Sequence, residues 1–196
     1  IKSADVRLTK NGKTYIGLVF SDRSGDLPGN LWYATEEQIT CFVPGKIVKL
    51  QGVRGSYHDQ PQVQITNVRL TESGEPENPS DFMVHAPIKE ADMNDALNDY
   101  IFLIVNPTWN RLVRRLFTQY HDAFLRYPAA KSNHHAFAGG LAFHSLSIAK
   151  LAKGVAGQYP QLNQELLIAG ALLHDLVKTI ELSGPVATQY TLSGNL

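Results

Sequence analysis

The spacing of apolar residues changes once along this chain, and that change constrains the fold more than any single motif does. Over residues 1–72 the apolar positions alternate, as on a half-buried strand. In "KTYIGLVFSD" (13–22), Ile16, Leu18 and Phe20 fall on one face, with Tyr15, Gly17 and Val19 on the other. "GNLWYA" (29–34) reads as a further short strand. Residues 45–70 read as two strands joined by a polar turn near His58–Pro61. "TEEQITCF" (35–42) interrupts them with a short helix, which Thr35 caps and Glu36 and Glu37 open. "TESGEPENPSDFMVHAP" (71–87) is rich in Glu, Pro, Ser and Gly and reads as a linker. Beyond it the period becomes helical. Helices are expected at about 89–105, 107–126, 138–158 and 162–181, with Pro107, Pro128 and Pro160 at their boundaries.

The chain is therefore expected to be α+β with two domains. Residues 1–72 carry about three strands, a helix and two more strands, the pattern of a five-stranded OB-fold β-barrel. Residues 73–87 form the linker, and 88–196 an all-α domain. Barrels of this kind bind single-stranded nucleic acid on the face of strands 2 and 3. Here that face offers Tyr15 and Trp32. Lys10 and Lys13 lie in the first hairpin loop, and Arg54 and Tyr57 near the later one. Aromatic rings would stack on bases and the cations would follow phosphates. The competing reading makes Trp32 a core residue and the cations ordinary solvated surface.

Composition narrows the class without choosing a partner. Hydrophobic residues make up 43% and charged residues 18%, enough apolar material for a packed core. Basic and acidic residues balance at 18 each, so any basic surface must be local. Cys41 is the only cysteine, which rules out an intrachain disulfide and suits a reducing cytoplasm. No apolar run of about 18 residues is present, so a cytoplasmic protein with no membrane partner is expected. The chain begins at Ile1 and stops at the turn-like "TLSGNL", as a fragment would. Self-association is compatible with this composition.

The charged groups in the most apolar helix call for compensation. "LLIAGALLHDLVKTIEL" (166–182) places His174, Asp175 and Lys178 in a segment that should be buried. Buried charge costs several kcal/mol unless it is paired. The preceding helix carries His144 in register with Leu141, Ile148, Leu151 and Val155, so His144 is expected on that helix's buried stripe. Packing the two helices would bring His144 to His174 and Asp175. Two imidazoles and a carboxylate suit Mn, Fe, Zn or Ni. Lys178, at i+3 from Asp175, shares their face and suits a phosphate oxygen. The alternative is a buried hydrogen-bond network, with His144 on a backbone carbonyl and His174–Asp175 as a polar helix end. His134 and His135 precede the His144 helix, either as substrate contacts or as loop residues. Gly139-Gly140 permits close backbone approach. Arg111, Arg114 and Arg115 read as solvated surface.

His144…His174-Asp175 resembles the first three positions of the HD phosphohydrolase signature, H…HD…D. The longer stretches "YPAAKSNHHAFAGGLAFHSLSIAKLAK", "LLIAGALLHDLVKTIELSGPVATQYTLSGNL" and "SDRSGDLPGNLW" resemble the YhaM-type 3′→5′ exoribonuclease family. That resemblance implies an N-terminal OB-type nucleic-acid-binding domain followed by an HD domain. It implies metal-dependent trimming of single-stranded RNA or DNA from the 3′ end, with manganese as the usual ion and two ions in a complete site. By position it makes His144, His174 and Asp175 metal ligands. Asp175 and Lys178 become catalytic, the lysine being the one that follows the HD pair. The family has glycine before that lysine, where this chain has Val177. The signature's last aspartate and further histidines would fall beyond Leu196, so the HD domain is expected to be truncated here and the fragment inactive. Two other functions fit the same residues: an HD-type nucleotide phosphohydrolase, and a non-catalytic single-strand-binding protein.

Overall fold

Alternating apolar residues become strands in the computed structural model, which describes residues 1–132 and 135–195. The first compact unit spans Ile1–Val84. Its strands are β1 (Ser3–Leu8), β2 (Thr14–Asp22), β3 (Gly25–Trp32), β4 (Val48–Tyr57) and β5 (Gln60–Leu70), with helix α1 (Glu36–Cys41) between β3 and β4. The inward residues of β2, Ile16, Leu18 and Phe20, pack with Phe42, Val63 and Val68. Thr35 Oγ1 accepts the Gln38 N–H at 3.2 Å and Gln38 Oε1 accepts the Thr35 N–H at 3.0 Å, so α1 opens on a capping box. His58 and Asp59 turn β4 into β5 with φ of 48° and 60°, left-handed values that suit a two-residue hairpin.

The strand order is β1-β2-β3-β5-β4. β3 and β5 run parallel for two residue pairs, Gly29↔Val63 and Asn30↔Gln64, and the other neighbours are antiparallel. A Cβ on Gly29 would stand 2.7 Å from Val63 Cγ1, so only glycine allows that approach.

The sheet is open, which corrects the expected barrel. Closure needs a β1–β4 ladder, and none joins those edges among the described residues. They meet at one corner, where Ile1 donates its terminal N–H to Lys46 O (2.6 Å) and Gly45 N–H donates to Ile1 O (2.8 Å). The reason lies in β4. A bulge at Gln51/Gly52 bends the strand, and every residue from Gly52 to Tyr57 is exposed. That half continues as a two-stranded ribbon with β5, offering no buried face for β1 to close upon.

The acidic stretch after β5 folds back onto this unit. Glu75 accepts both Arg69 Nη atoms at 2.8 Å, Lys49 Nζ at 3.0 Å and the Glu72 N–H at 3.0 Å. The Arg69 guanidinium, with help from Glu72 N–H and Lys49, holds the Glu75 carboxyl far below the ordinary glutamate range.

The second unit, His85–Leu196, is helical. It contains α2 (Glu90–Phe102), α3 (Pro107–Arg126), α4 (Gly140–Gln158), α5 (Gln164–Leu173) and the single turn α6 (Lys178–Glu181). Pro107 opens α3, and Asn106 Oδ1 caps it by accepting the Thr108 and Trp109 N–H groups. The core gathers Leu97, Ile101, Val113, Phe117, Phe124, Leu141, Ile168 and Leu172.

Two expectations for these helices need correction. The expected 162–181 helix is broken. After Leu173 the chain tightens into i→i+3 bonds, Leu176 N–H to Leu173 O (3.1 Å) and Lys178 N–H to Asp175 O (2.9 Å), so residues 174–177 form a turn. The buried face of α4 is also not the expected one. Leu151 and Val155 are 64% and 46% exposed, and the buried residues are Leu141, Ala142, Ser145, Leu146, Ala149 and Ala156. Leu141 is buried as expected, but Ala142, Ser145 and Ala149 turn inward in place of Leu151 and Val155.

Candidate metal centre

His144 stands on the first turns of α4, and His174 and Asp175 follow directly on α5. Helix spacing and the antiparallel packing of α4 on α5 bring them together. His144 Nε2 lies 3.2 Å from His174 Nε2. Asp175 Oδ2 lies 3.4 Å from His174 Nε2 and 3.6 Å from His144 Nε2. One ligand atom from each residue falls within a 4.8 Å span.

The His174 ring is oriented by its other nitrogen. His174 Nδ1 is 2.9 Å from Ala171 O, a carbonyl that can only accept, so Nδ1 carries the proton. In the neutral ring Nε2 then presents a lone pair toward His144 and Asp175. This is the usual arrangement behind a metal-binding imidazole. A backbone-carbonyl contact, which sequence reading expected of His144 in the hydrogen-bond alternative, is made by His174. Electron-rich atoms this close repel unless a proton or cation lies among them. Two imidazole nitrogens and one carboxylate oxygen are a donor set for a divalent first-row ion. The side chains of His144, Asp175 and His174 are 16%, 28% and 39% exposed, so the cluster is seated in the fold yet reachable from solvent.

Lys178 opens α6, one turn beyond. Its Nζ donates to Glu181 Oε2 at 2.6 Å. That bond, with smaller contributions from the charges of Asp175 and Tyr190, raises the Lys178 pKa above the ordinary lysine value and keeps it an ammonium. Sequence reading missed Glu181, although its i+3 spacing from Lys178 is a legible signal. Val177, where the resembled family has glycine, has φ −60° and is 49% exposed. A β-branched side chain meets no obstacle there.

The loop before α4 brings in His135, whose ring centroid lies 5.2 Å from that of His144 and 5.3 Å from that of Phe143. Gly140 makes this possible, since a Cβ there would stand 2.0 Å from His135 O. His134 lies outside the described residues. Arg111, Arg114 and Arg115 are exposed on α3.

In the first unit, Tyr15 and Trp32 are cross-strand partners with ring centroids 4.8 Å apart and planes tilted by 30°. Trp32 is 54% exposed, so it is not a core residue. Lys13 Nζ sits 4.6 Å from the Tyr33 ring centroid, an aromatic that sequence reading passed over in "LWYA". Lys10 is exposed in the same hairpin. Arg54 and Tyr57 are exposed on the distal ribbon of β4, where Tyr57 contacts His58. Among the described residues no hydrogen bond or ring contact joins them to the Tyr15–Trp32 pair.

Residues 141–191 match the model of the HD domain, a segment that holds His144, His174, Asp175 and Lys178. Over its full 196 residues the chain is 43% identical to the 3′-5′ exoribonuclease YhaM of Geobacillus sp. (strain WCH70). The match takes in 100% of this chain and 60% of that relative's length. No solved structure matches. Among the described residues no helix is long and apolar enough to cross a membrane.

Proposed function

Because the chain is a relative of the YhaM-type 3′-5′ exoribonucleases along all 196 of its residues, we propose that the protein is a metal-dependent 3′→5′ exoribonuclease. Its substrate is single-stranded RNA, with single-stranded DNA as a second substrate. Its product is nucleoside monophosphates. The observation that carries this reading is the convergence of His144 Nε2, His174 Nε2 and Asp175 Oδ2 inside the HD-matched segment.

His144, His174 and Asp175 would hold the divalent cation, with Mn²⁺ the expected ion. When bound, such an ion supplies Lewis acidity at the phosphoryl group and a water of lowered pKa. The residues of the chain do the rest. Ala171 O keeps His174 in the tautomer that aims Nε2 at the cluster. Asp175 brings the negative charge that two neutral imidazoles lack. Lys178, held charged by Glu181, would stabilise charge growing on the phosphate oxygens as water adds to phosphorus and the ribose 3′-oxygen leaves. Residues 1–84 would hold the strand upstream, with bases stacking on the exposed Trp32 and its half-buried partner Tyr15 and phosphates meeting Lys10, Lys13 and Arg54.

The test uses the natural full-length protein and a 5′-labelled single-stranded RNA, with manganese or with chelator, beside Asp175→Ala. A manganese-dependent ladder shortening from the 3′ end, absent in the variant, is expected. Intact RNA in every lane would overturn the exonuclease reading. Turnover of free nucleotides in those reactions would identify a nucleotide phosphohydrolase, the other chemistry an HD domain can host. Tight, chelator-insensitive binding without turnover would identify a single-strand-binding protein.

A further inference from the structure

One exposed aromatic on the segment after α6 has no part in the chemistry described above. Tyr190 follows the turn after α6 and is 45% exposed. Its backbone is pinned. Leu182 and Tyr190 form an antiparallel bridge, Thr191 N–H donates to Glu181 O at 2.8 Å, and Ser183 N–H donates to Gln189 O at 2.9 Å. Behind it, a Cβ on Gly194 would come within 3.0 Å of Tyr190 Cδ1. The segment carrying the ring is thus held against the end of α6, while much of the ring stays in solvent.

An ammonium arrives from another segment. Lys131 Nζ donates to Gln189 Oε1 at 2.7 Å and lies 6.0 Å from the Tyr190 ring centroid. That distance is the outer limit of a cation–π contact, so Lys131 leaves the ring available to another group. Lys131 belongs to the loop that also carries His135 to within 5.2 Å of His144. The loop before α4 thus reaches His144 through His135 and is tied to the Tyr190 segment by the Lys131–Gln189 hydrogen bond, which sets the Tyr190 ring beside Lys131.

We infer that Tyr190 and Lys131 form the subsite for the 3′-terminal nucleotide, the base stacking on the Tyr190 ring and Lys131 meeting a phosphate oxygen. The inference rests on the nuclease reading for its direction. The chemistry that recognises the ligand is that of any nucleoside monophosphate: a π-face, and an anion within reach of the Lys131 ammonium. A ring on a pinned backbone has less freedom to lose on stacking, and base–aromatic stacking is sequence-tolerant. Terminal-nucleotide binding in a non-selective exonuclease needs that tolerance.

The experiment is a calorimetric titration of the full-length protein in chelator with adenosine 5′-monophosphate and, separately, ribose 5-phosphate. The parent is expected to prefer the nucleotide by about tenfold, within the range that stacking on one ring supplies. Tyr190→Ala should reduce that preference to about twofold or less, whereas Tyr190→Phe should keep it. Lys131→Ala should weaken both ligands by a similar factor. Should Tyr190→Ala fail to fold, Tyr190→Leu carries the same expectation, because it keeps apolar bulk without a π-face. Equal binding of the two ligands by the parent, no nucleotide binding by it, or an undiminished preference without the ring would each overturn the subsite. No turnover is involved, so the result separates from the RNA ladder. Base preference without a ladder keeps the subsite and removes the exonuclease. A ladder without base preference does the reverse.

Discussion

The two units place their candidate functional side chains on opposite kinds of surface. In the sheet unit, Tyr15, Trp32 and Lys13 stand on the side of β2 and β3 that faces away from the Ile16–Leu18–Phe20 core. In the helical unit, His144 sits at the edge of α4's buried face, and Asp175 is followed by the buried Leu176. A strand separates packing from binding by alternation, so each side can be changed without the other. At a helix end beside a core, neighbouring residues serve both purposes. Substitutions should therefore alter affinity alone in the first unit, and couple stability to chemistry in the second.

The largest expected effect tests the helical half of this contrast. Asp175→Ala removes the one carboxylate of the cluster and should lower metal-dependent cleavage by more than about 100-fold, beyond what loss of a supporting group causes. Manganese affinity, measured by titration, should fall with it. Next is Gly140→Ala, which replaces none of the three candidate ligands. Its Cβ must displace the His135 carbonyl, at a cost of about 1–3 kcal/mol for an overpacked site, read by chemical denaturation. It should also lower activity, and full activity in a destabilised Gly140→Ala protein would break the proposed coupling.

Trp32→Ala tests the sheet half. Loss of one stacking ring should weaken single-stranded RNA binding by about 1–3 kcal/mol in fluorescence anisotropy, with thermal stability nearly unchanged. A large fall in melting temperature would mean that Trp32 contributes to packing despite its exposure. The smallest effect belongs to Glu75→Gln. The folded state depresses the Glu75 carboxyl through Arg69, so its stabilisation is present above the ordinary glutamate pKa of 4.5 and is lost as pH falls toward the folded value. The variant should be slightly less stable at neutral pH, and the gap should narrow as pH drops below that ordinary value. A gap that widens on acidification would contradict the Arg69–Glu75 clasp.

Much of the fold was legible because it depends on residues within a turn or two of one another. The alternation of Ile16, Leu18 and Phe20 specifies a strand with one buried face. Thr35 with Gln38, and Asn106 with Pro107, specify where α1 and α3 begin. The meeting of His144 with His174 and Asp175 was also expected from sequence. It needs only that two apolar helices joined by a short turn pack side by side. The i+3 partner of Lys178 was equally available and was passed over.

What the sequence alone determined, then, is the order and kind of elements, their caps, and which polar residues ride on apolar helices. These follow from interactions between near neighbours, whose energies do not depend on the rest of the molecule. Tertiary structure alone decided that the sheet stays open, that α5 ends at Leu173, and that Leu151 and Val155 face solvent. It also decided that Glu75 returns to Arg69 and that Tyr190 stands beside Lys131. Each of these depends on which distant surface claims a group first. A bulge turns β4 away from β1, Glu75 accepts the Arg69 guanidinium, and Ala142, Ser145 and Ala149 turn inward on α4 while Leu151 and Val155 do not. Such choices are settled by competition for contacts across the folded chain, and that competition exists only once the elements have packed.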